Sequence, residues 1–307
     1  MDKHILITGA TGMIGQRLIA LLLKKGHKLS ILSRKNSKIE GVKVYLWDVE
    51  KFKIDPNCLS GVDTIIHLAG ENIASKRWTA ARKKEIIDSR VKSAQLLYQA
   101  IKEQKAPVKT FISASAVGYY GDRGEEILTE ESPNGTGFLA SCCAQWEAAV
   151  DEGIELGIRV VKWRLGFILA RSEGALKAME QPIRYFLGAG LGSAKQWVPW
   201  VHVDDVVEMF RNSVENEIYS GAYNACAAQP ARNLELTKAI ANQLKRPVWP
   251  IHVPNFLLKM LLGELSEIVL DSTHTSPEKL LHTGFTFKYP QLRMALNHIY
   301  QQPDSNI

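Results

Sequence analysis

Short apolar runs alternate with amphipathic stretches along most of this chain. Ile5–Ile7 is continuously apolar, which is typical of a strand buried in a parallel sheet. Met13–Lys25 then repeats apolar residues at helical spacing and is followed by Gly26, and Ala80–Lys102 carries a second, longer helical pattern. The other predicted strands are Lys28–Ser33, Val42–Trp47, Thr64–Ala69, Lys109–Ser113, Arg159–Arg164 and Ala222–Ala225.

This alternation predicts an α/β fold, with a Rossmann-type, doubly wound parallel sheet and a smaller C-terminal substrate lobe. We expect residues 1–165 to form a nucleotide-binding domain whose sheet is completed by parts of 198–245. Residues 166–307 should form mainly the substrate side and the C-terminal lobe. Ligands bind such sheets beyond the carboxyl ends of the strands, so the loops that follow the strands are the informative ones.

Composition is that of an ordinary globular chain, with 307 residues of which 46% are hydrophobic and 23% charged. No apolar leader precedes Ile5, and the most apolar later region, Phe256–Leu270, is interrupted by charged residues. We therefore expect a cytoplasmic protein without membrane partners.

The distribution of charge argues against a nucleic-acid-binding protein, and the spacing of the cysteines argues against a metal-binding protein. The net charge is +6, but the basic residues are spread along the chain, so we expect no nucleic-acid partner. The densest basic patch, Lys76–Lys84, is either a solvated helix face or a site for an anionic ligand. The cysteines show no metal-type spacing, which predicts reduced thiols and no metal site. They are Cys58, Cys142, Cys143 and Cys226.

Three glycines follow the first strand and open the first helix. This context predicts a turn that directs backbone N–H groups and a helix N-terminus at a pyrophosphate. Gly9 would allow the tight turn, Gly12 would let the phosphates approach, and Gly15 would let the helix pack closely on the strand. The alternative is that the glycines make only a turn. The cofactor-binding candidates here are Gly9, Thr11, Gly12, Met13, Ile14 and Gly15.

The end of the second strand predicts which dinucleotide is bound. An NAD site would place Asp or Glu there to bind the ribose hydroxyls, whereas this chain has Ser33, Arg34 and Lys35. A guanidinium can bind a 2′-phosphate bidentately, so we expect NADP, with Ser33 and Arg34 as ligands. Exposed loop charge is the alternative reading of Arg34. Asp48, at the end of the third strand, is a candidate for the adenine edge.

The fourth strand ends at Leu68 and Ala69 and runs into Gly70, so that small residues lie at its carboxyl end. They would leave room for the diphosphate and the nicotinamide ribose, and we expect all three to contact the cofactor. Arg164, which ends the sixth strand, is a further cofactor-binding candidate.

Phe111–Gly121 resembles the Ser-Ser-x-x-Val-Tyr-Gly segment of the extended short-chain dehydrogenases/reductases, the superfamily of nucleotide-sugar epimerases and dehydratases. The resemblance implies that a Ser here donates a hydrogen bond to the reacting oxygen and so polarises a carbonyl. Ser115 matches best and Ser113 second.

The superfamily also uses a Tyr-x-x-x-Lys pair as its acid/base, and this chain departs from it. Alignment on Glu147 puts Leu139 in the Tyr position and Cys143 in the Lys position. The sequence Tyr98–Lys102 has the right spacing, but it lies on the helix before the Ser115 strand, so we interpret it as a coincidence of helix composition.

Several motifs together resemble one branch of the superfamily, an NADP-binding family whose members are labelled nucleoside-diphosphate-sugar epimerases or, in some cases, cell-division inhibitors. The C-terminal part, about Val248–Tyr300, is similar to that family's domain of unknown function. The motifs are at 70–73, 76–79, 113–121, 137–140, 146–147, 164–166 and 196–205.

Tyr119 and His202 are the remaining catalytic candidates. Tyr119 follows the Ser115 strand and is either a proton donor or a packed aromatic residue. His202 lies in the segment that lines the sugar-nucleotide side in the superfamily, and is either titrating or structural.

Two functions follow from this reading. The first is an NADP(H)-dependent oxidoreductase or epimerase-like enzyme that acts on a small molecule, such as a nucleotide sugar or a carbonyl compound, as a monomer or homodimer. The second is a catalytically silent NADPH-binding regulator or scaffold, for example in cell division. The missing Tyr/Lys pair favours the second function, and the Ser115 loop favours the first.

Overall fold

A computed structural model of the chain describes residues 2–36, 38–171 and 174–301. The strands are β1 (His4–Thr8), β2 (Lys28–Ser33), β3 (Val42–Asp48), β4 (Lys53–Ile54), β5 (Thr64–His67), β6 (Thr110–Ala116), β7 (Ile127–Leu128), β8 (Arg159–Leu165), β9 (Phe167–Leu169), β10 (Gly190–Leu191), β11 (Trp197–Val198), β12 (Trp200–His202), β13 (Gly221–Ala225), β14 (Ala231–Arg232), β15 (His252–Val253) and β16 (His274–Thr275). The helices are α1 (Met13–Lys24), α2 (Ala80–Gln104), α3 (Phe138–Asp151), α4 (Gly174–Arg184), α5 (Val203–Glu215), α6 (Asn233–Leu244), α7 (Asn255–Leu262), α8 (Glu267–Leu270), α9 (Glu278–His282) and α10 (Leu292–Gln301).

The large sheet has the strand order β13-β8-β6-β5-β1-β2-β3-β4. Its strands pair in parallel except for the short β4, which is antiparallel to β3. From β1 the chain moves towards β2, whereas from β5 it moves towards β6, so the strand order reverses beside β1. With right-handed crossovers, α1 and α2 then lie on opposite faces of the sheet. The predicted doubly wound, Rossmann-type α/β fold is confirmed.

The core of this sheet is continuous and apolar. Ile5, Leu6 and Ile7 of β1 are fully buried, as are Ile65 and Ile66 of β5. Helix α1 packs against α5, and α2 packs against α3. Strands covered on both faces need unbroken apolar runs, which is why these segments were recognisable in the sequence.

A second apolar cluster belongs to the later part of the chain. It joins α4, α6 and α10 to β9 and β12 and includes Trp200, Leu236 and Leu296. The segment 188–192 contains β10, which pairs in parallel with β15. Among the described residues, no helix is both long and apolar enough to cross a bilayer.

Candidate functional site

The glycine turn joins β1 to α1 at the point where the strand order reverses. Gly9 has φ +69°, and a Cβ there would lie 2.6 Å from the carbonyl carbon of Leu68. A Cβ on Gly15 would lie 2.5 Å from the carbonyl oxygen of Gly9 and 2.8 Å from the Cα of Ala10. Because these neighbours are backbone atoms, neither position accepts a side chain without moving the turn.

The N-terminus of α1 is open for an anion. Its N-cap, Gly12, has no side chain to accept hydrogen bonds from the first turn, and that turn contains no acidic residue. Thr11 and Gly12 are exposed, and Met13 and Ile14 are half-buried. The first N–H groups of the helix and its dipole therefore point at one exposed spot, which fits a pyrophosphate.

Thr8 and His67 hold the loop after β5 against this turn. The Thr8 hydroxyl oxygen accepts hydrogen bonds from the N–H groups of Leu68 (3.2 Å) and Ala69 (3.1 Å), and the hydroxyl lies 2.8 Å from Nδ1 of His67. Nε2 of His67 lies 3.1 Å from the hydroxyl oxygen of Ser93 on α2. Burial, together with the charge of Arg90, lowers the pKa of His67 to about 3, so the imidazole is neutral at pH 7.

Arg34 lies at the exposed end of β2. Its side chain is 78% exposed, and its Nη1 atom is 3.2 Å from Oε1 of Glu71 in the loop after β5. The hydroxyl of Ser33 accepts a hydrogen bond from the N–H of Lys35. An accessible guanidinium at the end of β2, where an NAD site would carry an acidic residue, fits a ribose 2′-phosphate.

The Asp48 carboxylate contacts Lys51 in the turn that follows β3. It accepts a hydrogen bond from the Lys51 N–H at 3.0 Å and lies 3.2 Å from the Lys51 Nζ atom. The Lys51 N–H and ammonium lower the pKa of Asp48. Each carboxylate oxygen keeps a further acceptor site, so the contact with adenine stays a prediction.

Two arginines of α2 support the loop after β5. Arg82, which is 7% exposed, donates to Oε2 of Glu71 from both terminal nitrogens at 3.3 Å, and to the carbonyl oxygen of Asn72 at 2.7 Å. Arg90 donates to the Glu71 carbonyl oxygen at 3.1 Å. A Cβ on Gly70 would lie 3.1 Å from Cζ of Arg90, so this position favours glycine.

Ser115 lies in a buried chain of charged groups. Its hydroxyl donates to Oε1 of Glu147 at 2.7 Å, and Arg164 donates to both carboxylate oxygens of Glu147 at 2.9 Å. Burial would raise the pKa of Glu147, but Arg164, with help from Ser115 and Lys162, holds that pKa below its usual value. The carboxylate is ionised, so the buried Ser115 hydroxyl donates its single proton to it and keeps only its lone pairs for a further partner. This corrects the expectation that Ser115 donates a hydrogen bond to a carbonyl.

Arg164 is buried among internal partners, whereas we expected it to contact the cofactor. Its side chain is 4% exposed. Besides Glu147, it donates to the Tyr120 hydroxyl at 2.8 Å and to the Glu130 carbonyl oxygen at 3.1 Å. Its guanidinium carbon lies 3.7 Å from the ring centre of Tyr119. Arg164 is therefore an internal link that positions Glu147 and the Tyr119 ring.

Leu139 and Cys143, which occupy the positions expected for the Tyr/Lys pair, pack against Gly118. A Cβ on Gly118 would lie 3.3 Å from the Leu139 Cβ and 3.9 Å from the Cys143 sulfur. Burial, with neighbouring acidic groups, raises the pKa of the Cys143 thiol to about 12. Tyr98, of the misplaced Tyr-x-x-x-Lys, is buried and donates to the Val150 carbonyl oxygen at 2.6 Å. The interpretation of Tyr98–Lys102 as helix composition agrees with this contact.

His202 is buried at the N-terminus of α5. Its Nδ1 accepts a hydrogen bond from the Asp204 N–H at 3.0 Å, which caps α5, and its Nε2 lies 3.3 Å from Nδ1 of His298. The Tyr289 ring centre is 3.9 Å from that of His202. Burial, followed by the charges of His298 and Lys288, lowers the pKa of His202 to about 3. Both ring nitrogens of His202 are engaged, whereas Ser115 and Tyr119 are linked to each other through Glu147 and Arg164.

The sequence did not predict that Thr8, His67 and Arg90 support the loop after β5, or that Glu147 binds Ser115. Thr8 carried a signal, since it is the polar residue between the apolar run Ile5–Ile7 and the glycine turn. Ser113, the second serine candidate, donates to the carbonyl oxygen of Ala114 at 2.8 Å and is fully buried. Among the described residues, His202, Asp204 and His298 are the group with metal-ligand atoms within 4.8 Å of one another. The ring nitrogens of His202 already have partners there.

Comparison with known proteins agrees with this architecture. Residues 5–226 match the NAD dependent epimerase/dehydratase family, and residues 253–299 match a domain of unknown function. These matches confirm the resemblance drawn from the motifs.

Curated and solved relatives extend over almost the whole chain. The Arabidopsis thaliana "Epimerase family protein SDR39U1 homolog, chloroplastic" is 35% identical over 96% of this chain and 86% of its own. The human epimerase family protein SDR39U1, crystallised with NADPH, has a TM-score of 0.84 at 28% identity and covers 98% of this chain and 100% of its own. The nucleoside-diphosphate sugar epimerase from Corynebacterium glutamicum has a TM-score of 0.80 at 32% identity, over 98% of this chain and 58% of its own. This chain belongs to the NAD dependent epimerase/dehydratase family.

Proposed function

We propose that the chain is an NADP(H)-dependent oxidoreductase or epimerase-like enzyme that acts on a small molecule. The observation that carries the proposal is the uncapped N-terminus of α1, reached across Gly12 and flanked by the exposed Arg34. The NADPH in the human relative's crystal structure supports the same cofactor for this chain.

The N–H groups of Met13 and Ile14 would bind the pyrophosphate, since the helix N-terminus has no side-chain cap. Arg34 would bind the 2′-phosphate, and the small residues Ala69 and Gly70 would leave room for the nicotinamide ribose. A bound nicotinamide supplies or accepts the hydride.

Tyr119 is the proposed proton-transfer group. It is half-buried on the 3₁₀ turn at Val117–Tyr120, and its ring is fixed against Arg164. Within the described part of the chain, its hydroxyl makes no hydrogen bond that would have to be broken first. Ser115, whose proton is held by Glu147, would accept a hydrogen bond from a substrate hydroxyl. A substrate hydroxyl fits both groups, and the carbonyl formed from it fits Tyr119 as a donor; the hydroxyls of a nucleotide sugar are of this kind.

Titration of the protein with NADPH and with NADH tests the cofactor proposal. Charge-assisted hydrogen bonds are worth about 1.5–3 kcal/mol, so Arg34→Ala is expected to weaken NADPH binding by about 10- to 100-fold. NADH binding should stay within threefold. Arg293→Ala, which removes an exposed arginine on α10, is the matched charge control and should change neither affinity. Equal loss of NADPH and NADH affinity on Arg34→Ala would contradict the proposal.

A silent NADPH-binding regulator is the second candidate, favoured by Leu139 and Cys143 in the Tyr/Lys positions. Absorbance at the NADPH band, followed with a panel of carbonyl compounds and nucleotide sugars, distinguishes the two. Turnover that falls at least 100-fold on Tyr119→Phe would support the enzyme. Tight binding without turnover of any compound would support the regulator. In either case we propose a monomer or homodimer as the working form.

A further inference from the structure

The ion pair of Arg34 with Glu71 crosses the end of β1. In the sheet order, β1 lies between β2 and β5. Arg34 directly follows β2, and Glu71 follows β5 by four residues, so the 3.2 Å contact between them bridges the two strands that flank the glycine turn. Dinucleotides bind such sheets at this reversal of strand order, so the pair lies beside the proposed cofactor turn.

Glu71 is anchored much more firmly on its other side. Its second oxygen lies 3.3 Å from the Nη1 atom of Arg82, whose side chain is 8% exposed, whereas the Arg34 side chain is 78% exposed. Arg82 has further acceptors in Glu85, Asn72 and Ser75. An exposed ion pair contributes little free energy, so the Arg34 contact is the one that opens.

We propose that Glu71 is a specificity-determining residue that competes with the ribose 2′-phosphate for Arg34. This inference rests on the proposed function. Without nucleotide, Glu71 holds the Arg34 guanidinium across the end of β1. A 2′-phosphate carries more negative charge than a carboxylate and offers more acceptor oxygens, so it displaces Glu71 from Arg34.

A nucleotide with free ribose hydroxyls has no group that competes with the carboxylate for Arg34. Glu71 remains bound to Arg82 in both cases, so its displacement leaves no buried charge without a partner. Glu71 therefore lowers the affinity for the 2′-phosphorylated cofactor and leaves the affinity for the other cofactor unchanged.

The test compares NADPH and NADH affinities of the full-length wild-type protein, Glu71→Gln, Arg34→Ala and the double variant. Glu71→Gln is expected to tighten NADPH binding by about two- to fivefold, the range that exposed ion pairs span, and to leave NADH binding within 1.5-fold. In the Arg34→Ala background the same substitution should have no effect. Glu85→Gln, which removes the other carboxylate from Arg82 without approaching Arg34, is the matched control and should change neither affinity.

Glu71→Asp provides a second variant, because it keeps a carboxylate near Arg82 but withdraws it from Arg34. It should also tighten NADPH binding. The inference is overturned if Glu71→Gln leaves NADPH affinity unchanged or weakened, if it tightens NADH equally, or if its effect persists without Arg34. A wild-type protein that binds neither nucleotide would overturn the proposed function as well. An Arg34-dependent preference for NADPH without any effect of Glu71 would overturn only this inference.

Discussion

Replacing Glu147 with Gln removes a buried charge and leaves the shape of the side chain almost unchanged. Glu147 and Arg164 have side chains that are only 6% and 4% exposed, and two hydrogen bonds of 2.9 Å join them. Breaking such a pair leaves the guanidinium buried beside neutral groups, which costs about 3–5 kcal/mol. With an unfolding entropy of about 2.1 cal/mol/K per residue, a chain of 307 residues should then melt about 5–8 °C lower.

Urea unfolding followed by tryptophan fluorescence measures this loss. Glu155→Gln, at an exposed carboxylate, is the control and should change the free energy of unfolding by less than about 0.5 kcal/mol. In the Arg164→Met background no guanidinium is left unpaired, so Glu147→Gln should cost at least about 2 kcal/mol less there than in the wild type. A cost below 1 kcal/mol in the wild type, or the same cost in both backgrounds, would refute the reasoning.

Three further predictions concern the turn, the buried histidine and the misplaced tyrosine. Gly15→Ala forces a Cβ to within 2.8 Å of Ala10 backbone atoms. The free energy of unfolding measured in urea should fall by about 1–3 kcal/mol, and NADPH binding should weaken at least tenfold. The pKa of His67 is about 3 in the folded protein and 6.5 in the unfolded chain, so the unfolded chain binds more protons at acidic pH. The free energy of unfolding therefore falls as the pH falls below 6.5. Between pH 6.5 and 4.5 the wild type should lose about 2–3 kcal/mol more than His67→Gln in parallel urea titrations. Tyr98→Phe removes the hydrogen bond to Val150; it should cost about 1 kcal/mol and leave NADPH affinity unchanged.

The fold was predictable because its main determinants are local in sequence. Buried parallel strands need apolar runs, and the turn between Ile5–Ile7 and α1 needs glycines for reasons that act within a few residues. The Gly9 and Gly15 positions show why, since backbone atoms occupy the space of a side chain at both. The predicted strand Lys109–Ser113 is in fact Thr110–Ala116, which places Ser115 inside the strand.

The parts of the site that were not predicted depend on contacts between distant residues. Glu71 meets Arg34, 37 residues away, and Arg164 meets Glu147, 17 residues away. No periodicity or spacing specifies such pairs, because they follow from how neighbouring strands and helices are stacked. Assigning Arg164 to the cofactor groove and His202 to catalysis overlooked that a buried polar side chain takes internal partners first.

A crystal structure of the protein with NADPH would show which groups bind the two ends of the nucleotide. The prediction is that the pyrophosphate accepts hydrogen bonds from the N–H groups of Met13 and Ile14 and that Arg34 has moved from Glu71 to the 2′-phosphate. A nucleotide bound away from the turn at residues 9–15, or a 2′-phosphate in solvent while Arg34 remains paired with Glu71, would contradict it.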